Sequence, residues 1–250
     1  MTTRLLLLPF IFLLSLSVKA QDSNTTDFYA LIKNYDLSSQ WKGDSVQLEG
    51  DGDMRKFPEP IGFIGDTYQR FYIHYLSVVK SSDYEYHVQG KTKVKNNICS
   101  FTGTITILKA KMYRQLDNPN YKQGYAVCEI SLAEDSMQAA SGFIHGKLVT
   151  NFYFDQKHIL HYDALMFFTD GFSNNQCTAT WTSYKSGKAK KCNWGDERIP
   201  DSGDLDQGAG EFMVNDKYFN VGWESYMKRF SGNSEESKKA LAIENAKWWK

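Results

Sequence analysis

The chain has 250 residues with 29 basic and 29 acidic side chains, so it offers no net positive field and no basic cluster of the kind nucleic acid requires. The densest basic run, Lys185 to Lys191 (KSGKAKK), reads as a solvated hairpin tip. Aromatic residues make up 15% of the chain, which suits a β-rich core and equally suits a ligand-stacking surface.

In chain order, Arg4 precedes an apolar run from Leu5 to Val18 that ends in Val18-Lys19-Ala20. A basic start, a short apolar segment and a small-residue cleavage site predict a signal peptide over residues 1–20, cut near Ala20. The run is broken by Pro9, Ser15 and Ser17 and is short for a membrane span. No Cys follows the cleavage site, which argues against a lipid anchor, and no later segment reaches spanning length. The expectation is a soluble chain, secreted or periplasmic. Removing Arg4 and Lys19 takes 29 basic residues to 27 against 29 acids, a balance of −2. Residues 21–250 are expected to form a single β-rich domain.

Asp27 to Tyr35 places Phe28, Leu31, Ile32 and Tyr35 at helical spacing behind Thr25 and Thr26 as caps, and predicts a short helix across an open end of the sheet. Ser45 to Glu49 alternates as a short strand. A turn follows at Gly50-Asp51-Gly52-Asp53, and then the extended Phe57-Pro58-Glu59-Pro60.

Tyr68 to Tyr113 carries the clearest pattern. From Tyr84 to Val94 the even positions are Tyr84, Tyr86, Val88, Gly90, Thr92 and Val94, with polar residues between them. After Asn96-Asn97 the inward set becomes Cys99, Phe101, Gly103, Ile105 and Ile107. A two-residue turn at Asn96-Asn97 predicts Val94 opposite Cys99 and Val88 opposite Ile105. A turn at Ser81-Ser82 predicts Val79 opposite Tyr84 and Tyr75 opposite Val88. Further strands are expected at Tyr125 to Leu132, Gly142 to Phe154, Ile159 to Tyr162 behind a turn at Gln156-Lys157, Asn175 to Tyr184, and Ala189 to Trp194. With no helix between them, roughly eight to ten strands form an all-β antiparallel meander. Such a meander must protect its edges, which favours a barrel over the alternative two-sheet sandwich. The stretch 195–220 reads as an irregular loop. Asn233 to Glu236 reads as a capping box for a C-terminal helix over 234–249.

Catalytic signatures are sparse. There is no G-x-S-x-G motif, and His158-x-x-His161 lacks further ligands at zinc spacing. The expected register sets His74 and His87 about 7–8 Å apart on an outer face, where exposed sheet histidines are the simplest reading. Asp201, Asp204, Asp206 and Glu211 gather four carboxylates in one loop and suggest Ca²⁺, although their spacing is not that of an EF-hand and turn formation explains them more simply. No cofactor is predicted. Trp181, Tyr184 and Trp194 fall near one end of adjacent strands and are the candidate ligand-binding residues, while the parity of Trp181 with Cys177 and Ala179 also fits core packing.

The cysteines are Cys99, Cys128, Cys177 and Cys192, and an even count in an exported chain suggests disulfides. A hairpin tip at Ser186-Gly187 puts Cys177 opposite position 196, about 13 Å along the strand from Cys192 and beyond the roughly 7 Å reach of a bridge. Two crossed pairings stay open, Cys99–Cys192 with Cys128–Cys177, or Cys99–Cys177 with Cys128–Cys192. Free, buried thiols are the other reading.

The strings YQRFYIHY (68–75), KVKNNICSFTGTITI (93–107) and WTSYKSGKAKKCNWGDERIPDSGDLD (181–206) resemble an uncharacterised, hypothetical family of secreted β-rich proteins from Gram-negative bacteria. The resemblance implies an envelope or extracellular setting, in which Asn24-Thr25-Thr26 has little meaning as a glycosylation sequon. It implies no activity or site residue. Together these readings lead to an exported, non-enzymatic β-barrel module that binds a small apolar ligand or a surface partner. A hydrolase acting on glycans through loop carboxylates and a structural envelope protein are the alternatives.

Overall fold

The computed structural model describes residues 24–48, 53–115 and 118–250; the expected signal peptide and most of the turn at 50–53 lie outside them. The strands are β1 (Thr25–Asp27), β2 (Ser45–Gln47), β3 (Met54–Lys56), β4 (Ile61–Ile64), β5 (Gln69–Lys80), β6 (Glu85–Val94), β7 (Asn97–Tyr113), β8 (Lys122–Glu134), β9 (Gly142–Phe154), β10 (Leu160–Tyr162), β11 (Asn174–Ser183) and β12 (Ala189–Asp196). The α-helices are α1 (Tyr29–Ile32), α2 (Ser38–Trp41), α3 (Glu224–Lys228) and α4 (Glu235–Glu244).

The antiparallel pairs run β4–β5–β6–β7–β8–β9–β11–β12, and β12 pairs back onto β4 through Cys192↔Ile64 to Gly195↔Ile61. The hydrogen-bonded sheet therefore closes into a ring of eight strands rather than splitting into two sheets. Closure removes the edges that a meander would otherwise expose. β1 adds to the far end of β7, β10 adds to the far end of β9, and β2 with β3 forms a separate hairpin.

The alternation seen in the sequence orients β6 and β7 as expected, whereas Val79 of β5, expected inward opposite Tyr84, is exposed opposite His87 because the bulge at Leu76 reverses the parity. Tyr86, Val88, Cys99, Phe101, Ile105 and Ile107 are all buried, and their neighbours in sequence face outward. The partners differ from the expected ones by two residues. Val94 pairs with Asn97, Thr92 with Cys99 and Val88 with Gly103, because the turn occupies Lys95-Asn96 with Lys95 at φ +54°. A two-residue slip leaves every side chain on its own face, so parity could not detect it. Between β5 and β6 the chain pairs Tyr75 with Gly90 and then Ser77 with Gln89, with Leu76 in a bulge, in place of the expected Tyr75–Val88 pair. His74 therefore lies opposite Lys91 and His87 opposite Val79, far apart along the strands. His74 instead bonds Glu59 at 2.8 Å and stacks on Trp249.

The expected helix at 27–35 is shorter and differently placed. Thr25–Asp27 pair with Lys111–Tyr113 of β7, beyond the reach of β6, and only Tyr29–Ile32 is helical. After a turn the chain forms α2, whose Ser38 amide donates to Asp36 Oδ1 at 2.9 Å. As anticipated, this segment closes one end of the ring. Ile32, Leu37 and Trp41 join the interior core, and Phe28 and Tyr35 pack on Phe154 with ring centroids 5.7 and 4.7 Å away. The Trp41 indole donates to the Thr150 hydroxyl at 2.7 Å and meets Tyr86 edge-on.

A polar network lies against the same closed end. Asp196 is fully buried, and its Oδ2 accepts from Tyr162 Oη at 2.9 Å and Asn175 Nδ2 at 2.7 Å. Desolvation raises its carboxyl to about 8, outweighing the two hydrogen bonds that favour the charged form. Asn175 Nδ2 also reaches the Gln40 carbonyl, which ties α2 to the strands.

The stretch expected to be an irregular loop contains 3₁₀ turns at Gly203–Leu205 and Asp216–Val221 and folds onto the outside of the ring. Ile199, Leu205, Phe212, Val214, Trp223 and Tyr226 form a second core with the outward-facing Ile61 and Phe63 of β4. This explains why all four residues of β4 are buried. α4 begins one residue later than the capping-box reading, with Ser234 as its N-cap accepting from the Ser237 amide at 3.0 Å. It ends at Glu244, so Trp248 and Trp249 lie past it, against Tyr72 and His74. The cysteines are all buried free thiols, and neither crossed pairing forms. Cys192 pairs with Ala179 and Cys177 with Trp194, again two residues from the expected register.

Candidate functional site

The ring interior is filled. One continuous core runs from Ile32 and Trp41 at the closed end through Tyr75, Phe101, Ile130 and Cys177 to Phe71 and Trp194. The opposite end carries the hairpin connections β4–β5, β6–β7, β8–β9 and β11–β12, and among the described residues no helix covers it. Between these tips lies a cavity of about 610 Å³. Concave, partly apolar cavities at the mouths of closed β-sheets are a usual place for small ligands.

Strand parity builds this mouth from the last inward-facing residue of each strand. Ile64 of β4, Phe71 of β5, Val94 of β6 and Trp181 of β11 supply apolar wall. Glu134 continues the inward face of Cys128, Ile130 and Leu132 on β8, and Lys190 continues that of Cys192 and Trp194 on β12. Glu134 is buried and its oxygens are taken up by the walls. Thr92 Oγ1 donates to Oε1, while the Gly142 amide and the Trp181 indole donate to Oε2 at 2.8 and 2.9 Å. Hydrogen bonds to a carboxylate are stronger than neutral ones and fix the orientation of their donors. Glu134 therefore pins the indole against Gly142 at the start of β9. Only glycine fits beneath it, because a Cβ on Gly142 would sit 2.7 Å from Trp181 Cε2 and 2.3 Å from the Thr182 carbonyl. On β12 the Lys190 ammonium lies 5.9 Å from the centre of the same indole. The neighbouring Lys191 turns outward and donates to the Asp201 carbonyl. The mouth thus presents an apolar wall with Lys190, Lys95 and the exposed Asp66 at its rim, and its buried carboxylate, Glu134, is occupied by orienting donors.

Of the aromatic residues singled out from the sequence, Trp181 lines the cavity. Trp194 lies two inward positions deeper, fully buried, with its ring 5.8 Å from Phe71. Tyr184 sits beyond the tip, largely exposed and facing Phe143. The structure does not bring the three into one platform, because a strand carries successive inward residues to different depths. The loop carboxylates are also dispersed. Asp204 bonds Lys217 and Tyr218, Asp206 bonds Arg198, the Asp201 carbonyl receives Lys191, and Glu211 lines a separate cleft. Among the described residues, no group of three or more His, Cys, Asp or Glu side chains is arranged to hold a metal. Glu134, Thr92, Gly142 and Lys190 were missed from the sequence. The signal for Glu134 was present as an acid continuing an unbroken apolar face.

Comparison of the chain with protein-family profiles, curated proteins and solved structures gives no match. The functional reading therefore rests on the chemistry of the site.

Proposed function

We propose that the chain is an exported, non-enzymatic binding module that takes a small, mainly apolar molecule with an acidic group into the mouth of its ring. Export follows from the Arg4 to Ala20 pattern. The observation that carries the binding reading is the pinned Trp181 indole, which forms a fixed apolar wall above a filled core. Side chains held rigid before binding lose little entropy on complex formation, and that raises affinity for a given contact area. The cavity, about 610 Å³, is in the range of small-molecule sites. Ile64, Phe71 and Val94 suit the apolar body of the ligand, and Lys190 suits its acidic group. Glu134 is spent on orientation and works against acidic ligands that reach too deep.

The test uses 1-anilinonaphthalene-8-sulfonate, an apolar body with one anionic group. The expected result is saturable fluorescence enhancement that decanoate reverses. Trp181→Ala should weaken it by about tenfold, the upper range for one aromatic contact. Tyr184→Ala should leave it unchanged. Unsaturable enhancement, or binding indifferent to Trp181→Ala, would overturn the reading.

A further inference from the structure

A second cavity, about 810 Å³, lies on the outside of the ring, between the C-terminal segment, β3 and the 167–172 loop. It differs from the mouth in chemistry. Arg55 and Arg229 face it, as do Asp170, Glu197 and Glu211. Among the described residues, none of these five side chains forms an ion pair within 4.0 Å or a side-chain hydrogen bond, and the buried Nε of Arg229 has no partner. Arg198, at the same wall, is by contrast fully tied to Asp206 and to the Gly208 and Gly210 carbonyls. Arg55, Asp170, Glu197 and Glu211 are solvent-exposed and Arg229 is half-buried, so their donors and acceptors stand open to a molecule in the cavity.

Aromatic rings complete the lining. Phe168 is 77% exposed and Phe230 57% exposed, high values for side chains of this size beside an available core. Each is backed by a guanidinium, Arg55 at 5.6 Å from Phe168 and Arg229 at 4.5 Å from Phe230. At the cavity wall Glu197 holds a left-handed backbone, φ +62°. A smaller hollow of about 210 Å³ shares Glu197, Tyr226 and Arg229 with the main cavity and extends it as a groove towards Arg70. Arg70 is buried, and its Nε and Nη1 have no partner.

We propose that this groove binds a neutral oligosaccharide. Carboxylates only accept hydrogen bonds and guanidiniums only donate them, whereas a sugar hydroxyl does both. A row of hydroxyls can therefore satisfy Glu197, Glu211, Arg55 and Arg229 together without bringing net charge. The exposed faces of Phe168 and Phe230 suit the apolar C–H faces of pyranose rings. With Lys56, the untied lining charges are three of each sign, so the cleft carries no net charge to select an ionic ligand, and a purely apolar ligand would leave all six without a partner. The groove is independent of the mouth, and no residue used here lines both.

The experiment is isothermal titration of the full mature chain with a panel of neutral hexasaccharides: β-1,4-glucan, α-1,4-glucan, β-1,4-xylan and β-1,4-linked N-acetylglucosamine. At least one should bind, with affinity that varies little between low and high salt. Phe168→Ala combined with Phe230→Ala should lower it by about tenfold or more, and Glu211→Gln should lower it without changing thermal stability. Trp181→Ala should have no effect, which separates failure here from failure at the mouth. Absence of binding across the panel would overturn the proposal. So would affinity unchanged by the double aromatic variant, or capture only of acidic polysaccharides or peptides with strong salt dependence.

Discussion

The two ends of the ring are made of the same strands but finished in opposite ways. At one end a contiguous segment, Phe28 to Trp41, folds back and places Ile32, Leu37 and Trp41 in the core, with Asp196, Asn175 and Tyr162 forming a buried polar seal. At the other end, among the described residues, only hairpin tips remain, and the last inward layer faces a cavity. The difference teaches that a closed sheet fills itself in its middle layers, while its ends depend on what the chain can spare to cover them. The covered end should determine stability. The open end should tolerate change in stability and respond in binding.

The sharpest way to break that contrast is Trp41→Ala. It removes a buried indole, its 2.7 Å bond to Thr150 and its contact with Tyr86. Loss of about 3–5 kcal/mol is expected from denaturant unfolding, with the probe affinity of the surviving folded fraction unchanged. A loss below about 1 kcal/mol would mean that the closed end is not the stabilising one.

The next effect is on pH dependence. Asp196 has a folded value of about 8, above the 3.8 of the free carboxyl. Between those values the folded state keeps a proton that the unfolded chain has lost. The stability this group contributes is therefore complete below about pH 4 and falls by about 1.4 kcal/mol per pH unit as pH rises towards 8, then levels off. Asp196→Asn keeps the acceptor for Tyr162 and Asn175 and removes the titration. The difference between wild type and variant in unfolding free energy, followed from pH 5 to 8, should show this slope. Parallel curves would rule out a protonated Asp196.

At the open end, Gly142→Ala forces a methyl group against the Thr182 carbonyl and the Trp181 indole. A cost of about 1–3 kcal/mol is expected, together with loss of probe binding as the indole is displaced. Binding retained at wild-type strength would show that the pinned indole is not the recognition surface. The smallest effect belongs to Lys190→Gln. Stability should move by less than about 0.5 kcal/mol, as for an exposed side chain, and affinity for the anionic probe should fall while that for an uncharged analogue stays level. Equal loss for both would place the anion elsewhere.

How much of this could be read from the chain alone depends on which regularity a feature obeys. Alternation placed Tyr86, Val88, Phe101, Ile105 and Cys177 inside, and all are buried. It could not place the turn at Lys95-Asn96 instead of Asn96-Asn97, since a two-residue shift preserves every face. The same blindness affected Cys177 and Cys192. Trp181, singled out by its position near a strand end, lines the mouth, but grouping it with Trp194 and Tyr184 treated depth along the strand as if it were equivalent.

By itself, the sequence determined the β class, the hairpin order, the inward faces and the covering role of the segment after Thr25. These follow from period-two patterning and from contacts between neighbours in the chain, which are local. Only the tertiary structure decided that β12 meets β4 to close the ring, that Glu134 orients Trp181 over Gly142, and that residues 197–230 wrap the outside of β4 and open a second cleft. Each of these joins residues separated by tens of positions, and their partners are chosen by which surfaces remain to be buried once the strands have paired.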